Sequence, residues 1–212
     1  MIWFTSDTHF GHANVLHFTD RPFGDIAHMN RALINAINER VAPTDDLYIL
    51  GDFSYQMTAV EAAALRSKIN CRKVHIVPGN HDKDWTHKDV AGTFIVEPPI
   101  VRINIHGQKI VLSHYPLMEW QSMSRGSWHL HGHIHSAGSV YNELNRKQGL
   151  MRYDVGVDAN SYAPVSLEEL RSRFAQVDEP VCCVKWPWWV NATGDEQIEH
   201  DLETYKREVV IR

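Results

Sequence analysis

The apolar residues of this chain fall into two rhythms. In the first half, short unbroken runs alternate with stretches of helical spacing. Residues 2–5 (Ile-Trp-Phe-Thr) read as a buried strand that stops at Ser6-Asp7. Ile26, Leu33, Ile34, Ile37 and Val41 recur at helical spacing, and Pro43 ends that helix. Residues 47–50 are a second buried strand, ending at Gly51-Asp52. Val60, Ala64, Leu65 and Ile69 mark another helix, and residues 73–77 a third strand ending at Pro78-Gly79-Asn80. Strand, helix, strand, helix, strand is the order that builds a parallel sheet.

After residue 100 the rhythm shifts toward alternation. Residues 101–105 and 109–113 flank His106-Gly107-Gln108 and predict a hairpin. Residues 128–131, 139–141 and 152–157 predict further short strands. Ser166-Leu167-Glu168-Glu169 has the spacing of a capping box and opens a helix toward Phe174, and residues 196–209 predict a charged terminal helix. An α/β first half and a strand-rich second half are both accommodated by two packed sheets with helices outside.

Composition narrows the class. At 212 residues, the chain fits one large domain with a sizeable core, and 43% hydrophobic with 22% charged residues is ordinary for a globular protein. A net charge of −5 argues against non-specific grip on long nucleic acid, which needs a basic surface. Cys71, Cys182 and Cys183 are odd in number and form no CxxC, so neither a disulfide framework nor a thiolate metal site is expected. The amino terminus lacks a basic region and a long apolar run. No window reaches bilayer-spanning length, and a cytoplasmic location without membrane association is expected.

Fourteen histidines are many for this length, and histidine is the commonest side-chain metal ligand. Their placement is informative. Three predicted strands stop at polar clusters: Asp7-Thr8-His9, Gly51-Asp52 and Gly79-Asn80-His81-Asp82. Two more clusters follow, Ser113-His114-Tyr115-Pro116 and His131-Gly132-His133-Ile134-His135. Sites in open α/β sheets form at the carboxyl ends of strands. Loops crossing one rim would collect Asp7, His9, Asp52, Asn80, His114, His133 and His135. Carboxylate, amide oxygen and imidazole together suit Mn, Fe, Co, Ni or Zn rather than Cu(I), Mg or Ca. Seven donors exceed what one tetrahedral ion uses and match two ions sharing a carboxylate. Two ions roughly 3.5–4 Å apart clamp an in-line displacement at phosphorus, with hydroxide attacking and a free histidine protonating the leaving oxygen. Taken singly, each cluster reads equally well as a turn or a half-exposed strand; the ordered conjunction at strand ends is what carries weight.

That ordered set, Asp-x-His, Gly-Asp, Gly-Asn-His-Asp, a lone His and Gly-His-x-His, resembles the calcineurin-like metallophosphoesterase superfamily over residues 5–135. Residues 153–170, with Gly156-Val157-Asp158 ahead of Pro164-Val165-Ser166-Leu167, are similar to short bacterial and phage members. The resemblance implies a four-layer α/β/β/α sandwich of two mixed sheets over residues 1–175. Residues 176–212 would be a Trp-rich extension and terminal helix packed on the same domain. It further implies that Asp7, His9 and His135 hold one divalent ion and Asn80, His114 and His133 a second, with Asp52 bridging. His81 would be the catalytic acid and Asp82 would orient its surroundings. The superfamily's protein phosphatases carry Asp-Arg shortly after Gly-Asp, where this chain has Phe53-Ser54-Tyr55-Gln56. A small or nucleotide-like phosphoester, with diesters slightly favoured, is expected instead.

On a regular strand His131 shares the face of His133 and His135 and is expected to be a polar partner, not a ligand. His12 and Asn14 suit either substrate contact or loop structure. Arg21 and Arg125 are candidates for phosphate oxygens, because the guanidinium fork matches them, although a solvated arginine is the commoner case. His17, His28, His75, His87, His106, His129 and His200 fit no ligand spacing. Trp186, Trp188 and Trp189 suit tail packing or self-association into a homo-oligomer. A metal-binding scaffold without catalysis, the role of a retromer subunit of this fold, is the alternative to a hydrolase.

Overall fold

In the computed structural model, residues 1–177 and Pro180 are described. Two mixed sheets face each other. The first contains β1 (Ile2–Thr5), β2 (Asp46–Ile49), β3 (Lys73–Ile76) and β4 (Ile95–Val96), and its last strand is β9 (Val165–Ser166). The order is β4-β3-β2-β1-β9, parallel except for β9. The second holds β5 (Ile100–Ile105), β6 (Gln108–Ser113), β7 (Trp128–His131) and β8 (Arg152–Asp154), with β6, β7 and β8 parallel and β5 closing the predicted hairpin. The hairpin turns on His106 and Gly107, both at positive φ, as a two-residue turn demands.

Burial on both faces explains the unbroken apolar runs of the first sheet. The first helix, α1 (Val15–Phe18), is a single turn; Trp3, Leu47, Ile49, Val74 and Ile76 pack against α2 (Ile26–Arg40) and α3 (Ala59–Arg66) through Met29, Leu33, Ile37 and Ala62. Phe4, Leu50 and Val77 point the other way, into the seam with Ile110, Leu112, Leu130 and Tyr153 of the second sheet. Asp25 caps α2 by accepting from the His28 amide, and Thr58 with Glu61 forms a full capping box on α3. The predicted box at Ser166 and Glu169 is present and starts α5 (Leu167–Phe174), whose Leu170 and Phe174 close one end of the seam. Helix, sheet, sheet and an outer layer with α4 (Val140–Lys147) give the four layers.

α4 corrects one expectation, that of a strand over residues 139–141. They open a helix instead. The pattern misled because the buried face of α4 is built from amides, not aliphatics. Asn142 donates from Nδ2 to the Asp154 carbonyl at 2.9 Å and accepts from the Asp154 amide at 2.7 Å. β8 is also shorter than predicted, ending at Asp154 before a 3-10 turn at Val157–Ala159. The expected helix over 196–209, and the Trp-rich segment with its packing or self-association, lie outside the described residues. No helix among the described residues is long and apolar enough to cross a membrane.

Parallel pairing places the carboxyl ends of β1, β2 and β3 on one rim. Backbone hydrogen bonds continue past the strands, from Asp7 N to Gly51 O at 3.1 Å, His9 N to Asp52 O at 3.0 Å and Val157 N to Ser6 O at 3.1 Å. On the second sheet, Gly132 N donates to His114 O at 3.0 Å. The loops that carry the polar clusters are therefore extensions of the sheet framework.

Candidate metal centre

These extensions bring the seven candidate ligands together. Ligand atoms of Asp7, His9 and His135 lie within 4.8 Å of one another, and so do those of Asp7, Asp52 and His114. Asp52 stands between the two groups: its Oδ2 is 3.4 Å from His9 Nε2, 3.6 Å from His114 Nε2 and 4.0 Å from His81 Nε2. His114 Nε2 is also 2.9 Å from Asn80 Oδ1 and 3.1 Å from His133 Nδ1.

The backbone is bent to achieve this. Asp7, His9, Asp52, His133 and His135 all have φ between 46° and 73°, the left-handed region that costs an ordinary residue roughly 1–2 kcal/mol. Strain of that kind concentrates at functional sites. Gly51, at φ 89°, cannot be replaced freely, since a Cβ there would lie 2.6 Å from His114 Nδ1. At Gly132 a Cβ would run into Ser6 and the Asp7 carboxylate. That glycine breaks the regular strand after His131, so the expected alignment of His131 with His133 and His135 does not hold. His131 instead faces the outer layer, with Nδ1 2.9 Å from Gly132 O and Nε2 3.4 Å from the Tyr141 hydroxyl.

The unsatisfied atoms show what the cluster lacks. Asp7 Oδ2 accepts from the His133 amide at 2.9 Å and from the Ser6 hydroxyl, but Asp7 Oδ1 has no hydrogen-bond partner among the described residues. His9 Nε2 is likewise buried and unpartnered, while His12 Nδ1 sits 3.2 Å from its other nitrogen. His114 Nδ1 is 2.9 Å from the Leu50 carbonyl, so that nitrogen donates and Nε2 presents a lone pair. His135 Nδ1 donates to Asp158 Oδ2 at 2.7 Å, which leaves its Nε2 free in the same way. Lone pairs converge here without donors to receive them, and buried polar groups are normally satisfied. A divalent cation fits this donor set.

Electrostatics agree. Burial, then the charges of His135, Arg21, His12 and His81, hold His9 down at about 2, so it stays neutral, the form that binds metal. Burial raises Asp7 to about 6 against the pull of His135 and His114, and the Asp154 charge adds to the rise. Burial also lowers His133, with help from His114.

The remaining predicted residues are placed as follows. His81 lines the opening, about one third exposed, with its amide donating to Asp52 Oδ1 at 2.9 Å and its ring against Tyr55. Asp82, expected beside the catalytic acid as an orienting residue, accepts from the amides of Asp52 (2.8 Å), Phe53 (3.0 Å) and Gly79 (2.8 Å). It ties the loop after β2 to the loop after β3. His12 is buried behind His9 between Phe18 and Tyr55. Arg21 is fully buried and fixed by Asp158 and the carbonyls of Asp7 and Thr8, with no donor turned toward the opening. Arg125 is exposed in a 3-10 turn anchored by Met123 on the outer face of the second sheet, away from the cluster. Asp158 was noted in the sequence only as part of a similar stretch. Its contact with Arg21 spans 137 residues, and no local signal reveals it.

This geometry has relatives. The calcineurin-like phosphoesterase superfamily domain matches residues 1–156, and the chain belongs to that family. The protein MJ1445 of Methanocaldococcus jannaschii is 31% identical over 168 residues, covering 79% of this chain and 87% of the relative. The Gene 66 protein of Mycobacterium phage L5 is 28% identical over 184 residues, covering 74% of this chain and 86% of its own. Among solved structures, AQ665 from Aquifex aeolicus superposes with a TM-score of 0.63 at 24% identity. It covers 81% of this chain and 98% of its own, a likeness of fold.

Proposed function

We propose that this protein hydrolyses a small or nucleotide-like phosphate ester at a centre of two divalent transition-metal ions, with diesters slightly favoured over monoesters. The observation that carries the reading is the convergence of unpartnered buried donors, Asp7 Oδ1 and His9 Nε2, on the rim where Asp52 Oδ2 faces both His9 and His114. When bound, divalent ions supply Lewis acidity toward phosphoryl oxygens and lower the pKa of water to near neutrality.

The chain's own residues do the rest. Asp7, His9 and His135 would hold one ion, Asn80, His114 and His133 the other, and Asp52 both. His81 stands at the opening with Nε2 4.0 Å from Asp52 Oδ2, where its ring nitrogen would give a proton to the departing oxygen. Asp82 keeps the Asp52 and Asn80 loops in register. Tyr55 packs on His81 and limits how its ring can turn.

The test compares hydrolysis of bis-p-nitrophenyl phosphate with p-nitrophenyl phosphate, using chelated protein reloaded with Mn and then with other divalent ions. Metal-dependent cleavage, faster on the diester, is expected. Faster monoester cleavage would make the enzyme a phosphatase. Absence of either reaction with metal bound would leave a scaffold.

A further inference from the structure

Arg21 and Asp158 lie behind the cluster. The Arg21 guanidinium is fully buried and the Asp158 carboxylate almost so. Arg21 Nε donates to Asp158 Oδ1 at 2.8 Å and a terminal nitrogen donates to Oδ2 at 2.8 Å, the paired fork that fixes both planes. The far side of the guanidinium donates to the Asp7 carbonyl at 2.7 Å and the Thr8 carbonyl at 3.1 Å, inside the left-handed turn that presents Asp7 and His9. Asp158 Oδ2 also accepts from His135 Nδ1 at 2.7 Å. One charged pair therefore ties the first ligand-bearing turn of the chain to the last.

The chemistry has a direction. An ionised carboxylate only accepts, so its bond to His135 requires the proton on Nδ1, and in the neutral ring that leaves Nε2 as the lone pair. A carboxylate on the second nitrogen of a ligating imidazole fixes its tautomer and orientation, and its loss typically weakens metal binding 10–100-fold. We propose that Asp158, locked by Arg21, is a positioning residue that fixes the tautomer and reach of His135 and so sets the ion affinity of the site shared by Asp7, His9 and His135. The inference rests on the metal-centre reading above. Asp158 lies two residues beyond the segment that matches the family domain.

The experiment is a Mn²⁺ titration by calorimetry of the full-length chain, freed of metal by chelation. Asp158→Asn is close to isosteric and removes the charge. It is expected to weaken one site roughly 10–100-fold and leave the other within about twofold. In a His135→Ala background the same substitution is expected to change nothing further. An equal loss in both backgrounds would make Asp158 merely structural and overturn the inference. Unchanged affinity in Asp158→Asn, with normal wild-type binding, would overturn it while sparing the metal centre; a wild-type chain that binds no Mn²⁺ would overturn both. Nitrogen NMR of metal-free wild-type protein, at a pH high enough to leave the ring neutral, needs no variant: the Nδ1–H tautomer of His135 is expected, and the Nε2–H tautomer would overturn the inference.

Discussion

Two groups of buried histidines, one on β7 and one just beyond the ends of β1 and β6, have been put to opposite uses. On the outer face of the second sheet, His129 accepts at Nε2 from the Leu117 amide at 2.9 Å and donates from Nδ1 to the Val111 carbonyl at 3.1 Å. Its hydrogen-bonding capacity is filled by backbone, and it staples a loop to the sheet. At the rim, His9 and His114 each have one nitrogen held from behind and the other aimed at Asp52 Oδ2. What separates candidate ligand from staple is neither residue type nor burial but whether the second nitrogen is filled by a backbone amide or faces the other side-chain donors of the cluster.

The largest effects should come from the rim. Asp52→Asn removes the charge shared by His9 and His114, and is expected to abolish turnover and ion binding together. His81→Ala leaves every candidate ligand in place. It is expected to retain both ions and lose roughly 10²–10⁴-fold in turnover, the range typical for a general acid. Metal content after dialysis and the rate on bis-p-nitrophenyl phosphate separate the two. Wild-type turnover in His81→Ala would remove its role, and full metal content in Asp52→Asn would remove the bridge.

That contrast was partly legible in the sequence. The strand ends at Ser6-Asp7, Gly51-Asp52 and Gly79-Asn80 announced the rim, because a doubly buried strand reads as an unbroken apolar run and its end as the first polar residue. Asp7, His9, Asp52 and Asn80 could be gathered for the same reason, and His114, His133 and His135 only as polar clusters that follow them in order. The face of His131 could not be read, since Gly132 and the left-handed turn at His133 cancel the period-two rule on which that reading depended. α4 was missed because Asn142 and Asn145 replace the aliphatic stripe. Arg21 looked like a free phosphate ligand because its partner is 137 residues away, and nothing local marks an arginine that folds inward.

A middle-sized effect tests the outer group by acid. Burial, opposed only by the Val111 and Tyr115 carbonyls, lowers His129 from 6.5 to about 4. The folded chain refuses a proton that the unfolded chain accepts. Its contribution to stability is therefore intact above pH 6.5 and is lost as pH falls from there toward 4. By pH 5 the loss amounts to about 2 kcal/mol. Urea unfolding of chelated protein at pH 7 and pH 5, wild type beside His129→Gln, reads it. The variant is expected to start less stable and to lose about 2 kcal/mol less between the two pH values. A parallel loss in both proteins would show that His129 is protonated in the folded state.

The smallest effect lies where the two groups meet. His131 belongs to the outer set, yet only Gly132 separates it from His133. Its bond from Nδ1 to the Gly132 carbonyl, at 2.9 Å, is the better of its two, while the Tyr141 hydroxyl is 3.4 Å from Nε2 and near the limit of a useful hydrogen bond. Tyr141→Phe keeps the ring that packs edge-on against His131 and deletes only that hydroxyl. A stability change under about 0.5 kcal/mol is expected, at the low end for a neutral hydrogen bond, with turnover and metal content unchanged. A fall in turnover without a fall in stability would mean that the orientation of His131 reaches His133 through the glycine. The two histidine groups would then be one mechanical unit, and the distinction between staple and ligand would hold for His129 but not for His131.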